Sequence, residues 1–234
     1  MDLKVFTSVA LKNVIEGLAS EFRQKTGCGL VMTYCPAPVV VRHLRDGASA
    51  DVLIVTPDTW PVLVRVGRGV AGSERDIARS VVGVAVKAGA AHPKISTAEE
   101  LRDTLLKARS VAYTDPSTGA ASGVHFIKIA ESLGIAEAMR AKAKLGSGGP
   151  VAEFVASGDA EIGIQQLCEH MLVPGVEVVG PLPEALNRVT TFTAGIAGGS
   201  AVPREGAAFI ELLLAPHVQQ DLPGHGLEPM AARS

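Results

Sequence analysis

The spacing of apolar positions changes period along the chain, and each change marks an element. Residues 3–7 (L-K-V-F-T) read as a short strand. Leu11, Val14, Ile15, Leu18, Ala19 and Phe22 then recur with helical period, which predicts a helix over about 10–25, closed by Gly27. Residues 30–34 are a second strand. Pro36 and Pro38 interrupt the chain before a short helix over 39–45 that ends at Gly47. Residues 50–55 (A-D-V-L-I-V) are apolar enough for a central strand, and Pro57, Asp58 and Thr59 open another helix through Leu63 and Val64. Such strand–helix alternation implies parallel strands joined by right-handed crossovers.

A strand follows at 80–86, ended by His92 and Pro93. Thr97 with Glu100 three residues later has the spacing of a capping box, ahead of a helix carrying Leu101, Leu105 and Leu106. Residues 110–113 are a strand, 124–133 a helix and 136–143 a second helix. The glycine-rich turn 146–150 leads into a helix over 151–157. Strands are expected at 161–165, 176–179 and 187–196. The last helix spans 204–214, with Ala207, Ile210, Leu213 and Leu214 inward, and an amphipathic tail punctuated by Pro216, Pro223 and Pro229 follows.

Composition narrows the class. Of 234 residues, 47% are hydrophobic and only 4% aromatic, which suits parallel strands of small aliphatic residues under helices. The net charge is −2 and no basic tract stands out, so no nucleic-acid partner is expected. No apolar run reaches the length of a membrane span, so no membrane insertion is expected. Cys28, Cys35 and Cys168 are irregularly spaced and read as three reduced thiols, with no disulfide framework, no metal site and no cofactor. The first residues read directly as a strand, with no signal peptide ahead of it. This places the chain in the cytoplasm as the sequence stands, or in the periplasm if a leader has been removed.

Candidate chemistry concentrates in 113–126 (Y-T-D-P-S-T-G-A-A-S-G-V-H-F). A strand end, a loop of small hydroxyl residues and a helix start together make an anion site, because the first N–H groups of a helix lack internal partners. Ser117, Thr118 and Ser122 are its candidate donors. His125 is either a proton carrier or a residue packed under the loop. Asp115 reads as fixing its own turn, Asp51 as a structural acid before a strand, and Tyr34 and Tyr113 as wall or core residues. Gln165 and Gln166 end an apolar strand, so alternation turns one toward a ligand and the other toward the body. Thr7 and Ser8 are ligand donors or a helix cap, and Arg42 is a carboxylate fork or a solvated helix cation. Glu169 and His170 read as a solvated loop just past the strand.

Five segments, in order, carry a resemblance. They are residues 5–11 (V-F-T-S-V-A-L), 42–54 (R-H-L-R-D-G-A-S-A-D-V-L-I), 114–116 (T-D-P), 155–164 (V-A-S-G-D-A-E-I-G-I) and 226–229 (G-L-E-P). The chain resembles the molybdate-binding branch of the periplasmic solute-binding proteins, the type 2 binding-protein fold. That resemblance implies an α/β protein with a mostly parallel sheet in each of two lobes. Residues 1–80 with 195–234 would form the first lobe and 81–194 the second, with hinge strands near 81–87 and 188–196. It also implies a small anion held between the lobes by hinge closure, and delivery to an ABC transporter permease or a sensor.

The resemblance assigns the molybdate ligands to a serine at the start of the first helix, a serine pair after the second strand and a tyrosine after the G-I-V strand. This chain has Ala10, Pro36-Ala37-Pro38 and Gln166 there. The expected ligand shell is therefore Thr7, Ser8, Arg42, Ser117, Thr118, Ser122, Gln165 and Gln166, and the expected ligand an organic carboxylate. The alternative is an isomerase. The same branch resembles aconitate isomerase, which would make His125 the catalytic residue of a 1,3-proton shift on a tricarboxylate.

Overall fold

The computed structural model describes residues 2–230; Met1 and residues 231–234, included in the expected first lobe, lie outside them. The chain divides into two compact units. One contains residues 1–79 with 191–234, the other residues 80–190.

In the first unit, β1 (Asp2–Thr7) pairs in parallel with β2 (Gly29–Tyr34) and with β3 (Val52–Val55). The end of β9 (Val189–Ile196) closes the row antiparallel to β3, Val52 facing Ile196 and Val55 facing Thr193. The helix α1 (Lys12–Thr26) buries Val14, Ile15, Leu18 and Phe22, the stripe its sequence period marks, and ends on Gly27 at φ 73°. Phe22 meets Phe209 of α9 (Pro203–Leu213) edge-on at 5.4 Å. The helix α2 (Ala37–Arg45) follows Pro36, and α3 (Trp60–Arg65) follows β3. The Trp60 indole packs against Gly195, where a Cβ would come within 2.2 Å of the ring, so only glycine fits that point of β9.

Asp51 is buried, and both its oxygens are used. Oδ2 accepts the Lys4 N–H at 2.9 Å and Oδ1 the Ser200 hydroxyl at 2.7 Å. The reading of Asp51 as a structural acid is thus correct. The tail is more ordered than its prolines suggest. Pro216 starts α10 (Pro216–Asp221), and Glu228 exchanges both backbone hydrogen bonds with Arg79 at 2.9 and 2.7 Å.

The second unit is built on β4 (Arg75–Lys87), which begins in the first unit, five residues earlier than its apolar run predicts. β7 (Ile162–Gln166) and β8 (Val176–Pro181) pair antiparallel with it. β5 (Val111–Thr114) then runs parallel to β7 on one side and to β6 (Ala143–Gly146) on the other. β6 was not expected. The helix foreseen over 136–143 is α6 (Ala136–Ala141), and the chain turns at Lys142 into this edge strand. Lys144 and Leu145 are exposed, so no apolar run marks it. The core gathers Val84, Leu101, Val111, Tyr113, Phe126, Met139 and Ile164.

Thr97 caps α4 (Ala98–Lys107) by accepting the Glu100 N–H at 3.1 Å, and the Glu100 carboxylate returns to Ser96 N–H, one residue before the cap. At the other end of α4, the Lys142 ammonium donates to the carbonyls of Leu105, Leu106 and Ala108 at 2.6, 2.9 and 2.6 Å. A cation there satisfies orphan carbonyls and the helix dipole together. Lys142→Met keeps the aliphatic stem and removes these bonds. It is expected to lower stability by about 1.5–3 kcal/mol, measured as a drop in the urea midpoint.

Candidate functional site

Ligands of open α/β sheets sit beyond the carboxyl ends of the parallel strands. In the second unit those ends are Thr114, Gly146 and Gln166. Beyond Thr114 the loop is tied to itself. Asp115 Oδ1 accepts the Ser117 N–H at 2.8 Å, and the Thr118 hydroxyl donates to Asp115 O at 2.7 Å and accepts from Ala120 N–H at 3.3 Å. Asp115 therefore does fix its own turn. Ser117 is exposed and Thr118 half-buried.

The helix α5 (Ala121–Ser132) starts at Ala120, which provides no side-chain cap, so its first N–H groups are open to an acceptor from outside the helix. The helix lies directly on the strand end. A Cβ on Gly123 would stand 2.2 Å from the Thr114 carbonyl oxygen, and the Ser122 and Thr114 hydroxyls are 3.3 Å apart and buried. His125, in the second turn, is half-buried, with Nε2 2.8 Å from the Leu186 carbonyl. Burial pushes its pKa down, against that hydrogen bond, so the ring is neutral near pH 7.

Gln165 and Gln166 are both buried. Gln165 accepts the Val151 N–H at 2.7 Å and donates to the Gly149 carbonyl at 3.3 Å, gripping the glycine turn that follows β6. That turn leads into α7 (Ala152–Ser157). Gln166 donates to the Thr190 hydroxyl at 2.9 Å, while its Oε1 is buried and has no partner among the described residues. The structure thus brings Ser117, Thr118, Ser122, Gln165 and Gln166 to the strand-end side of one unit.

In the first unit the corresponding positions are Thr7 and Ser8. Thr7 is fully buried, its carbonyl accepting the Cys35 N–H at 2.8 Å. Ser8 is the cap of a 3-10 turn over Val9–Leu11, its hydroxyl accepting the Ala10 N–H at 3.2 Å. Arg42 is exposed in the last turn of α2, close enough to oppose the burial that raises the Cys35 thiol pKa. At the opposite end of β1, a cavity of about 250 Å³ is lined by Asp2, Lys4, Ser49 and Asp51. Asp2 there accepts Gly29 N–H and Lys4 donates to Ser49, so this is the network that ties β1 to its neighbours. Among the described residues no group of three or more His, Cys, Asp or Glu side chains is arranged to hold a metal ion.

Glu169 and His170 are not in a solvated loop. They lie on α8 (Leu167–His170), a short helix that starts directly from Gln166 and is buried on both residues. Gln166 is its cap and Glu169 stands three residues on, the spacing of a capping box. That spacing was readable in the sequence; the apolar Leu167 and Cys168 beside it were the sign that the segment turns inward. His170 Nε2 accepts the Gln165 N–H at 3.1 Å and lies 3.3 Å from the Gly83 carbonyl, so its ring is wedged between β7 and β4. Burial pushes its pKa down to about 4. The Glu169 carboxyl goes the other way, up to about 8, because loss of solvent outweighs the hydrogen bonds from the Gln166 backbone and the Gln165 side chain.

With the fold and strand ends placed, comparison with known proteins fixes the family. A family model described as bacterial extracellular solute-binding protein matches residues 3–228. The chain belongs to this family. It is 29% identical to an aconitate isomerase of a Pseudomonas species, over 99% of this chain and 89% of the relative. It is 22% identical to the molybdate-binding protein of Escherichia coli (strain K12), over 84% and 77% of the two chains. The solved periplasmic molybdate-binding protein of Azotobacter vinelandii superposes with a TM-score of 0.80 at 20% identity, covering 97% of this chain and 98% of that one. The solute-binding protein therefore has the α/β fold of the type 2 periplasmic binding proteins. No helix among its described residues is long and apolar enough to cross a membrane.

The buried carboxyl gives the solute-binding protein a stability profile that can be measured. Glu169 is protonated in the folded state up to about pH 8, whereas an unfolded carboxyl releases its proton near 4.5. The folded state binds more protons between these values, so this stabilisation is complete below about 4.5 and is lost as the pH rises through 8. Glu169→Gln is expected to flatten the decline of Tm between pH 5 and 9. At pH 9 it should exceed the wild type by roughly 2–4 kcal/mol, read by calorimetry.

Proposed function

We propose that this solute-binding protein captures a small organic carboxylate and delivers it to an ABC transporter permease or a sensor. The observation that carries the reading is the donor set at the ends of β7 and β2. Where the resemblance to molybdate binders expects a tyrosine, Gln166 stands with Nε2 on the Thr190 hydroxyl and Oε1 without a partner among the described residues; turned over, the amide accepts the Thr190 hydroxyl on Oε1 and frees Nε2 to donate to an anion. Where it expects paired serines, the chain has Pro36, Ala37 and Pro38, which start α2 and bring no hydroxyl. A compact tetrahedral oxyanion is held by a dense shell of short donors. Long amides, the loop hydroxyls of Ser117 and Thr118, and the start of α5 with Ser122 and no side-chain cap suit a larger anion whose charges are spread apart. In the first unit Thr7, Ser8 and Arg42 are the proposed donors, and the family description, bacterial extracellular solute-binding protein, supports a role outside the cytoplasm.

A second reading is favoured by one specific finding, the near full-length similarity to aconitate isomerase. In that reading the protein catalyses a 1,3-proton shift on a tricarboxylate. A base removes a proton from one carbon, the double bond moves by one position, and a proton is returned to the carbon at the far end. His125 is the candidate base, being neutral near pH 7 and half-buried on α5. The donors at the strand ends would hold the carboxylates and the negative charge that develops on them.

A thermal-shift screen separates these outcomes. The panel is molybdate, tungstate, sulfate, phosphate, citrate, cis- and trans-aconitate and smaller carboxylates. Di- or tricarboxylates are expected to raise Tm, a ligand at 100 times its Kd adding about 2.7 kcal/mol. A shift with molybdate or tungstate and none with carboxylates would reject the carboxylate reading. NMR of the stabilised samples then distinguishes binding from conversion of cis- to trans-aconitate. Gln166→Leu is expected to weaken the best carboxylate about tenfold or more, the loss of one hydrogen bond to a charged group, read by calorimetric titration.

A further inference from the structure

The junction of β7 and α8 holds a carboxyl that the proposed ligand shell does not use. Glu169 folds back on the Gln166 N–H and is also reached by the Gln165 side-chain amide. On an exposed helix start a carboxylate in this place is favoured by the helix dipole. Here the residue is only 6% exposed, and among the described residues no lysine, arginine or histidine forms an ion pair with it.

The groups around it leave its charge uncompensated. On α8 itself, burial keeps the Cys168 thiol neutral, with its sulfur 3.4 Å from the Ser80 hydroxyl of β4, and keeps His170 neutral between β4 and β7. β7 faces it with Gln165 and Gln166, which are uncharged. β8 carries Glu177, exposed and engaged by His92 and by the Gly89 N–H. The charged residue of β4 in this unit, Lys87, lies at the exposed end of the strand. An ionised Glu169 would therefore be an unpaired buried charge against the two glutamines at the end of β7.

We propose that Glu169 is a positioning residue that couples ligand capture to a proton: its neutral form holds the Gln166 N–H and the Gln165 amide at the strand end beside the anion, and its ionisation expels the anion. This rests on the reading of the strand ends as an anion site. A negative charge in a low-dielectric site interacts strongly with a second one nearby, so binding an anion favours the protonated carboxyl. Anion binding above neutral pH then takes up a proton, and affinity falls as the pH rises through the titration of Glu169.

The test is calorimetric titration of the full chain with trans-aconitate from pH 7 to 9.5, in buffers of different ionisation enthalpy. Wild-type Kd is expected to rise about tenfold or more between pH 7.5 and 9.5, with up to one proton taken up per anion. Glu169→Gln should bind with a flat profile and no proton uptake. A flat wild-type profile without uptake overturns the proposal, as does an unchanged slope in the variant. If Glu169→Gln does not fold, the wild-type proton uptake decides alone. If trans-aconitate does not bind at any pH, the carboxylate reading has failed, and the same titration is run with molybdate. A pH-dependent Kd with uptake then upholds the role of Glu169 for another anion, and a pH-independent one overturns it. Failure of both probes to bind overturns the proposal together with the anion site.

Discussion

The end of the second unit's sheet depends on one buried amide. Gln165 belongs to β7, yet its side chain closes on Val151 N–H and Gly149 C=O, across the turn that follows β6. Gly148 and Gly149 in that turn make it conformationally permissive, and an unsupported turn of this composition would populate many states. The amide replaces the solvent that its backbone groups would otherwise need and fixes the turn against the strand. The same residue's N–H is taken by His170 and its side chain reaches Glu169. One side chain and one backbone group thus join the turn, the strand end and α8.

The first unit solves the same problem with a carboxylate. Asp51 stands just before β3 and holds a backbone N–H of β1 and the Ser200 hydroxyl of the segment after β9. Its oxygens serve strands that pair in register and a chain returning from far along the sequence. Replacing such a group leaves two donors without acceptors, which costs more than the net worth of either bond. Both units therefore use a buried side chain to satisfy groups that the sheet cannot: Gln165 at the strand ends where ligand chemistry is proposed, Asp51 at the opposite end of β1.

Much of this architecture was legible because it is written in local patterns. The stripe of Val14, Ile15, Leu18 and Phe22, the Thr97 cap and the Asp115 turn each follow from neighbours within a few residues. β6 escaped because an edge strand with exposed Lys144 and Leu145 has no buried face to impose alternation. The opening residues of β4 escaped because Arg75 and Asp76 are exposed on it. Glu169 and His170 escaped for a different reason. A charged pair after a strand reads as solvent-facing unless tertiary contacts supply its partners, and here these come from residues up to 87 positions away, as between His170 and Gly83. The two glutamines were recognised as special, but a rule of alternation cannot say that both are buried, since one of them packs on a turn and the other on Thr190.

Glu169 shows why local and global preferences must be weighed together. Its spacing from Gln166 is that of a cap, and the cap alone would favour the ionised form by a few tenths of a kcal/mol to about 1 kcal/mol. Burial without a cation acts in the opposite direction and is the larger effect. A glutamine would fill the same space and accept the same N–H without the titration. The acid at this position therefore brings something a neutral isostere does not, a change of charge next to the residues proposed to hold the anion. A cap needs only an acceptor; a proton-linked binding site needs an acid that the fold keeps neutral until the pH rises.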